Sequence, residues 1–183
     1  MKKYFILFFV VISCIGTSYA QTLKDYINIG GEYNSALHSG DLLYEDSYGG
    51  TAQFETELSD DLTLVLSVGY FDWGSRSFVD DSTGEGYSTD LYSIPVMGGL
   101  KYYIFEMLDL YATLQLGVDM SFLTINGTED AGEYPEEFIT VRLGAGYEIP
   151  ITEKIKIDLN GMYYIIDEYN YLTGRAGIKV ALD

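Results

Sequence analysis

Apolar and polar residues alternate along the chain from Tyr26 onward, with the period of two that is typical of β-strands. Most of the alternating segments contain ten or more residues, whereas strands of soluble domains average roughly 5 to 6. Their length matches the roughly 9 to 11 residues with which a tilted strand crosses a bilayer. The pattern predicts an all-β fold, an eight-stranded antiparallel up-and-down transmembrane barrel. Its predicted strands are Tyr26–Leu37, Tyr48–Leu58, Leu62–Phe71, Leu91–Tyr103, Leu108–Phe122, Phe138–Ile149, Ile155–Ile166 and Leu172–Leu182.

The charged residues of these strands fall on one face. In the fifth strand, Leu114 and Leu116 lie on one face, and Asp109 and Asp119 lie on the other. The same count over all eight strands finds twelve charged residues on the polar face and none on the apolar face. Because eight strands make a barrel just wide enough for side chains to fill, a polar face that points inward predicts a filled lumen with a charge network. The predicted lumen residues are Glu32, Glu55, Glu57, Lys101, Asp109, Asp119, Arg142, Glu148, Lys156, Asp158, Arg175 and Lys179.

Hairpin geometry predicts which of these charges meet. The expected pairs are Lys101 with Asp109, Glu148 with Lys156, Asp119 with Arg142, and Glu32 with Lys179 or Arg175. We interpret the set as charges that compensate one another inside the barrel. A proton or ion path is the alternative, and it would need a continuous chain of water through the lumen.

The lengths of the connections and the positions of the aromatic residues indicate that the apolar face points outward, into lipid. The short connections are Ser59–Asp61, Ile104–Met107 and Pro150–Lys154, and the longer ones start near His38, Asp72, Leu123 and Asp167. Short turns on one side and long loops on the other are typical of outer-membrane barrels. Aromatic residues at both ends of the apolar face predict two interfacial girdles. These residues are Tyr48, Tyr70, Tyr92, Tyr102, Phe122, Tyr147 and Tyr163.

The first twenty residues have the features of a secretory signal peptide. Two lysines precede the apolar run Tyr4–Ile12, and a small-x-small cleavage site ends at Ala20. We therefore expect a signal peptide over 1–20 and an exported barrel domain over 21–183. The stretch Val11–Cys14 offers a lipoprotein signal as the alternative, which would leave Cys14 acylated. No later segment approaches the roughly 20 apolar residues of a transmembrane helix.

The chain is acidic, and its charge limits the possible partners. It has 28 acidic and 10 basic residues, a formal net charge of −18, which argues against nucleic-acid binding because that function needs a basic face. Many acids fall in the predicted long loops, and the acidic loops are where we expect any extracellular partner to bind. Divalent-cation binding there is the alternative to simple solvation, although no loop has an EF-hand spacing.

The sequence gives little support to catalysis or to a cofactor. The single histidine, His38, has Ser35, Ser39 and Asp41 nearby, but no recognisable catalytic motif surrounds it. Dinucleotide fingerprints, phosphate-binding glycine loops and His-rich metal spacings are also absent from the sequence. We predict a protein that is not an enzyme and has no cofactor, no catalytic residues and no metal site.

Two segments carry a resemblance to a known family. The stretch Tyr92–Tyr103, YSIPVMGGLKYY, is followed by Leu110–Gly117, LYATLQLG. Together they resemble the small outer-membrane β-barrel proteins of Gram-negative bacteria, of the OmpA-transmembrane and OmpX-like type. The resemblance implies a monomer in the cell outer membrane, in contact with lipid and lipopolysaccharide and inserted by the outer-membrane assembly machinery. The chain departs from the family pattern in ending at Asp183 without an aromatic residue and in placing Pro95 inside a strand, where we expect a bulge or irregularity.

The rival interpretation is a soluble secreted or periplasmic barrel of lipocalin type. Its apolar face would point inward and line a pocket for a small apolar ligand. The length of the strands, the one-sided distribution of the long loops and the absence of a packing helix in the sequence favour the membrane barrel.

Overall fold

The computed structural model describes residues 24–37, 46–79, 86–105, 109–126, 132–166 and 170–182. The predicted signal peptide, Cys14 and His38 lie outside these residues. The predicted loop residues Asp41 and Ser39 also lie outside them, so the structure describes none of the catalytic candidates except Ser35.

Eight antiparallel strands form a closed barrel in which each strand pairs with its neighbours in sequence and β1 pairs with β8. The strands are β1 (Asp25–Ala36), β2 (Asp46–Ser59), β3 (Leu62–Val79), β4 (Gly86–Phe105), β5 (Leu110–Asn126), β6 (Gly132–Pro150), β7 (Ile155–Ile166) and β8 (Asn170–Leu182). The predicted eight-stranded all-β barrel is confirmed. Within the described parts of the chain, no helix has the length and apolar character needed to cross a membrane.

The strands are strongly staggered around the barrel. Following the paired residues from Asp25 on β1 through each strand in turn leads to Leu172 on β8, which pairs with Ser35 on β1. One circuit therefore advances ten residues along β1, from 25 to 35. A stagger of this kind tilts the strands and fixes the barrel's width, which is narrow enough for side chains on opposite strands to meet.

The four central strands are longer than predicted, and they take up parts of two predicted loops. β3, β4, β5 and β6 contain 18, 20, 17 and 19 residues, so the segments after Asp72 and Leu123 continue as strands. Among the described residues, β2 pairs with β3 as far as Asp72, and β7 pairs with β6 from Thr140. Beyond these points residues 73–79, 86–91, 123–126 and 132–139 form a four-stranded extension, which we call the outer sheet.

The alternation of apolar and polar residues becomes irregular in the outer sheet, which explains why the sequence did not reveal it. The face continuous with the lumen carries Leu91 and Leu123, opposite each other in register, but also Glu136. The outward face carries Ile139, which is 76% exposed. Gly74 marks the transition: it lies at a register shift with φ 83°, a left-handed conformation that glycine adopts without strain.

Pro95 interrupts the ladder without shifting it. Pairing between β3 and β4 passes from Val68–Val96 to Phe71–Ser93 with the register unchanged. Gly69 faces the proline, and a Cβ at that position would lie 3.1 Å from the Pro95 Cγ. The bulge or irregularity expected at Pro95 is therefore a local gap in pairing, without a register shift, that the facing glycine accommodates.

Candidate functional site

Of the twelve charged residues predicted for the lumen, eleven lie on the inward face of the barrel wall, and Asp109 lies in the turn before β5. Nine of them are buried, with at most 4% of their surface exposed. These are Glu32, Glu55, Lys101, Asp119, Arg142, Glu148, Asp158, Arg175 and Lys179. The other three, Glu57, Asp109 and Lys156, are partly exposed at the end of the barrel that carries the short turns.

A compact group of ion pairs occupies the half of the lumen near the short turns. Glu55 lies 2.7 Å from the Lys101 Nζ and 2.8 Å from the Lys179 Nζ. Lys179 also pairs with Glu148 at 2.8 Å, and Glu148 contacts Lys156 at 3.2 Å. Because every carboxylate in the group faces at least one ammonium, burial leaves no isolated charge there.

The pairs continue outward through Asp158. Its Oδ2 lies 3.3 Å from Lys101 and 3.0 Å from Arg175. Arg175 reaches Glu32 at 3.4 Å, and Glu32 lies 3.9 Å from Arg142. Ten charged residues are thereby connected in what we call the ion network: Asp109, Lys156, Glu148, Lys179, Glu55, Lys101, Asp158, Arg175, Glu32 and Arg142.

The individual pairs differ in part from those expected. Glu148 meets Lys156, and Glu32 meets Arg175. Lys101 points away from the hairpin end and contacts acids across the lumen, while Asp109, at a turn position with φ 47°, pairs with Lys156 at 2.8 Å. Alternation along a strand predicts which side chains point into the lumen. It does not predict which acid a long, flexible lysine contacts, because several acids lie within its reach.

Two glycines make room for Arg175. Gly30 and Gly177 face each other across β1 and β8. A Cβ at Gly30 would lie 2.8 Å from the Arg175 Cζ, and one at Gly177 would lie 2.8 Å from its Nη1. A side chain at either position would therefore displace the guanidinium from Glu32 and Asp158.

Uncharged polar residues complete the network, and the sequence analysis missed them. Tyr111 donates to Asp158 at 2.6 Å, and Tyr103 donates to Glu148 at 2.8 Å. Asn28 donates to Asp158 at 2.6 Å. Lys101 also lies over the Tyr111 ring, 4.5 Å from its centroid. All of these side chains share the inward parity of the charged residues, and that parity was the signal available in the sequence.

An aromatic layer crosses the lumen at the end that carries the outer sheet. Tyr164 and Tyr171 stack with their centroids 4.2 Å apart, and Phe71 meets Tyr164 edge-on. Trp73 and Phe138 pack against this buried cluster. Phe71, Tyr164 and Tyr171 were predicted neither for the lumen nor for the girdles, so this layer, which lies between the ion network and the outer mouth, was not predicted.

The seven residues predicted for the girdles lie at outward-facing positions of their strands, and several of them stack on one another. Tyr92 lies between Tyr70 and Phe122, with centroid distances of 5.8 Å and 4.9 Å. Tyr48 is 68% exposed and contacts Tyr33. The other predicted positions on this outward face are Tyr102, Tyr147 and Tyr163. The stacked row crosses adjacent strands at the base of the outer sheet.

Four acids expected in loops lie in strands instead, because those strands are longer than predicted. Asp46 begins β2, and Glu133, Glu136 and Glu137 are exposed in the outer-sheet part of β6. The other expected loop acids lie outside the described residues. Among the residues that the structure describes, no three His, Cys, Asp or Glu side chains are grouped so that they could hold a metal ion.

Comparison with known proteins agrees with this architecture. The family model for the outer membrane protein beta-barrel domain matches residues 6–182. The chain belongs to this family. As a member of the outer membrane protein beta-barrel family it is located in the cell outer membrane, where its apolar band faces lipid. The soluble lipocalin-type alternative is not favoured. No curated protein matches the sequence.

Solved structures share the fold at low sequence identity. The crystal structure of Ail, the attachment invasion locus protein of Yersinia pestis, is 15% identical, with a TM-score of 0.65 over 87% of this chain and 98% of Ail. Ail in complex with the heparin analogue sucrose octasulfate is 18% identical, with a TM-score of 0.62 over 88% and 100%. A major outer membrane protein from Thermus thermophilus is 12% identical, with a TM-score of 0.63 over 88% and 100%.

Proposed function

We propose that this outer-membrane barrel is a surface-interaction protein, with the outer sheet as its binding element and a lumen that is not a diffusion pore. The observation that carries the proposal is the extension of four strands beyond the barrel. Residues 73–79 and 132–139 each have a strand partner on one side only among the described residues. The edges of a sheet can bind extended peptide by adding a strand.

Two features support a lumen that is closed to diffusion. Buried ion pairs occupy the part near the short turns, and the aromatic layer lies across the part near the outer mouth. A hydrated ion crossing the barrel would have to displace both groups. We accordingly propose that the charges have a structural role and that no catalysis takes place in the barrel.

The chemistry of the outer sheet supports a cationic partner. Glu133, Glu136 and Glu137 are exposed on β6, and Asp72 is exposed on β3. Ail has been crystallised with sucrose octasulfate, a polyanion. A polyanion would be repelled by the acids of the outer sheet, so we infer a positively charged protein or peptide surface as the partner here.

Several expectations from the sequence belong to the same proposal. Export would remove residues 1–20, and the outer-membrane assembly machinery would insert residues 21–183 as a monomer. The girdle stack at Tyr92 would lie at the level of the lipid and lipopolysaccharide headgroups, where aromatic rings are favoured.

Binding by cells that display the protein tests the proposal. We expect such cells to bind a fluorescent lysine-rich peptide and to ignore labelled heparin. The triple variant Glu133→Gln, Glu136→Gln, Glu137→Gln should bind the peptide more weakly, and Glu153→Gln, in the short turn between β6 and β7, is the matched control. Equal binding by the triple variant and the native protein, or a preference for heparin, would contradict the proposal.

A further inference from the structure

Two buried charged groups in the outer half of the lumen keep polar atoms that no described residue satisfies. Asp119 is 1% exposed, and its Oδ1 has no hydrogen-bond partner. Arg142 is fully buried, and its Nε and Nη2 have none. Buried polar atoms in proteins are nearly always satisfied by protein or by water, so these three atoms point to a bound molecule.

The unsatisfied atoms of Arg142 lie on one edge of its guanidinium. Its Nη1 donates to Gln115 at 3.4 Å, and its plane lies 4.2 Å from the centroid of Tyr164. Glu32 is 3.9 Å from Nη2, which exceeds hydrogen-bond distance. The Nε–H and Nη2–H bonds point the same way and normally engage a single acceptor group side-on. No described side chain accepts a hydrogen bond from this donor edge.

Asp119 lies outside the ion network, on the inward face of β5 that also carries Gln115, the residue that accepts the Arg142 hydrogen bond. It pairs in register with Phe138 on β6, which packs against the aromatic layer. Arg142 lies against Tyr164 of the same layer. Both groups therefore lie beneath the aromatic layer.

The charges decide which molecule fits. A small anion at the guanidinium edge would face two carboxylates, Glu32 and Asp119, and would be repelled by both. A cation would be repelled by Arg142. Water is neutral, accepts hydrogen bonds from the guanidinium and donates to a carboxylate, so it satisfies both partners at once. We propose that Asp119 and Arg142 together form an internal water-binding site beneath the aromatic layer.

Transfer of magnetisation from water to the arginine side chains tests the site directly. The chain has three arginines, Arg76, Arg142 and Arg175, and all three can be followed in one 15N-arginine-labelled sample in lipid bilayers. Arg76 is exposed, whereas Arg175 Nε is buried and donates to Thr51 at 2.8 Å. We expect fast transfer from water to Arg76 and Arg142 Nε and slow transfer to Arg175 Nε. Transfer to Arg142 that is as slow as that to Arg175 would overturn the site.

Two variants at Asp119 test whether the site is shared. Asp119→Asn keeps a hydrogen-bonding group and should preserve fast transfer to Arg142. Asp119→Leu removes that group and fills the space, so the fast transfer should be lost in protein whose heat-modifiable gel mobility shows a folded barrel. Unchanged transfer in a folded Asp119→Leu barrel would refute the shared site. If that variant does not fold, the comparison between Arg142 and Arg175 still tests whether water binds at Arg142.

Replacing chloride with bromide in the buffer distinguishes an anion from water. We expect the Arg142 Nε resonance to stay in place. A shift of this resonance on exchange of the halide, without fast transfer from water, would mean that an anion occupies the site and would contradict the proposal.

Discussion

The Lys101 Nζ lies 2.7 Å from Glu55 Oε1, although the two residues belong to β4 and β2, which are not neighbours in the sheet. The contact crosses the lumen above β3. Lys101 also reaches Asp158 on β7 at 3.3 Å. Side chains from β2, β4 and β7 therefore meet at one ammonium. The ion network thus joins strands across the lumen, in addition to the backbone hydrogen bonds that join neighbouring strands.

Removing only one partner of this contact should destabilise the barrel. Lys101→Met leaves Glu55 and Asp158 with one cation fewer, and loss of one partner of a buried pair costs about 3 to 5 kcal/mol. The double variant Lys101→Met, Glu55→Gln should lose clearly less than the sum of the single losses. Urea unfolding in lipid vesicles measures the cycle. Additive losses would show that the two charges are not coupled.

Loss of Glu32 should also weaken the barrel. Glu32 accepts a hydrogen bond from Thr51 at 2.6 Å and pairs with Arg175, so Glu32→Ala leaves a buried guanidinium with less compensation. We expect a clear drop in the temperature of the heat-modifiable gel shift. Glu133→Ala, on the exposed outer sheet, is the control and should leave this temperature unchanged. The interpretation fails if the two variants behave alike.

The stability of the barrel should depend on the small size of Gly177. Gly177→Ala places a methyl group against the Arg175 guanidinium, and overpacking of this kind costs about 1 to 3 kcal/mol. Gly174→Ala is the matched control on the same strand, because a Cβ there meets nothing within 4 Å. Thermal unfolding of both variants gives the comparison. Equal stability of the two variants would mean that Arg175 does not depend on the space at Gly177.

A charge on the apolar band should be costly only where lipid surrounds it. Leu114 is 60% exposed on the outward face of β5, and arginine near the bilayer midplane costs about 2 to 4 kcal/mol. Ser77→Arg, in the exposed outer sheet, should have almost no effect. Folding into vesicles measures both. A neutral Leu114→Arg would contradict the placement of this face in lipid.

Alternation along the chain predicts the barrel wall well and the outer sheet poorly. β7 has the predicted bounds, Ile155–Ile166, because lipid on one side and a polar lumen on the other impose strict alternation. β3 continues to Val79, and beyond Asp72 its apolar and polar residues no longer alternate regularly, so the pattern does not predict this part of the strand. The same parity identified Lys101 as a lumen residue, but it could not identify Glu55 as its partner because that contact depends on the barrel's stagger.

Aromatic residues show a second limit of the sequence. Tyr164 and Tyr92 are the same residue type, yet Tyr164 is fully buried in the lumen and Tyr92 lies in the outward stack. The tyrosine side chain suits both places, since its ring packs and its hydroxyl hydrogen-bonds. Only the closed barrel, which brings Phe71, Tyr164 and Tyr171 together, distinguishes a girdle residue from one that crosses the lumen.

The display of the outer sheet outside the cell is the central claim, and labelling of single cysteines on intact cells tests it most directly. The chain's single cysteine, Cys14, lies in the predicted signal peptide, so Ser77→Cys and Glu153→Cys should each carry the only thiol of the mature protein. A membrane-impermeant maleimide should label Ser77→Cys on intact cells and Glu153→Cys only after the outer membrane is permeabilised. Labelling of Glu153→Cys but not Ser77→Cys on intact cells would contradict the account.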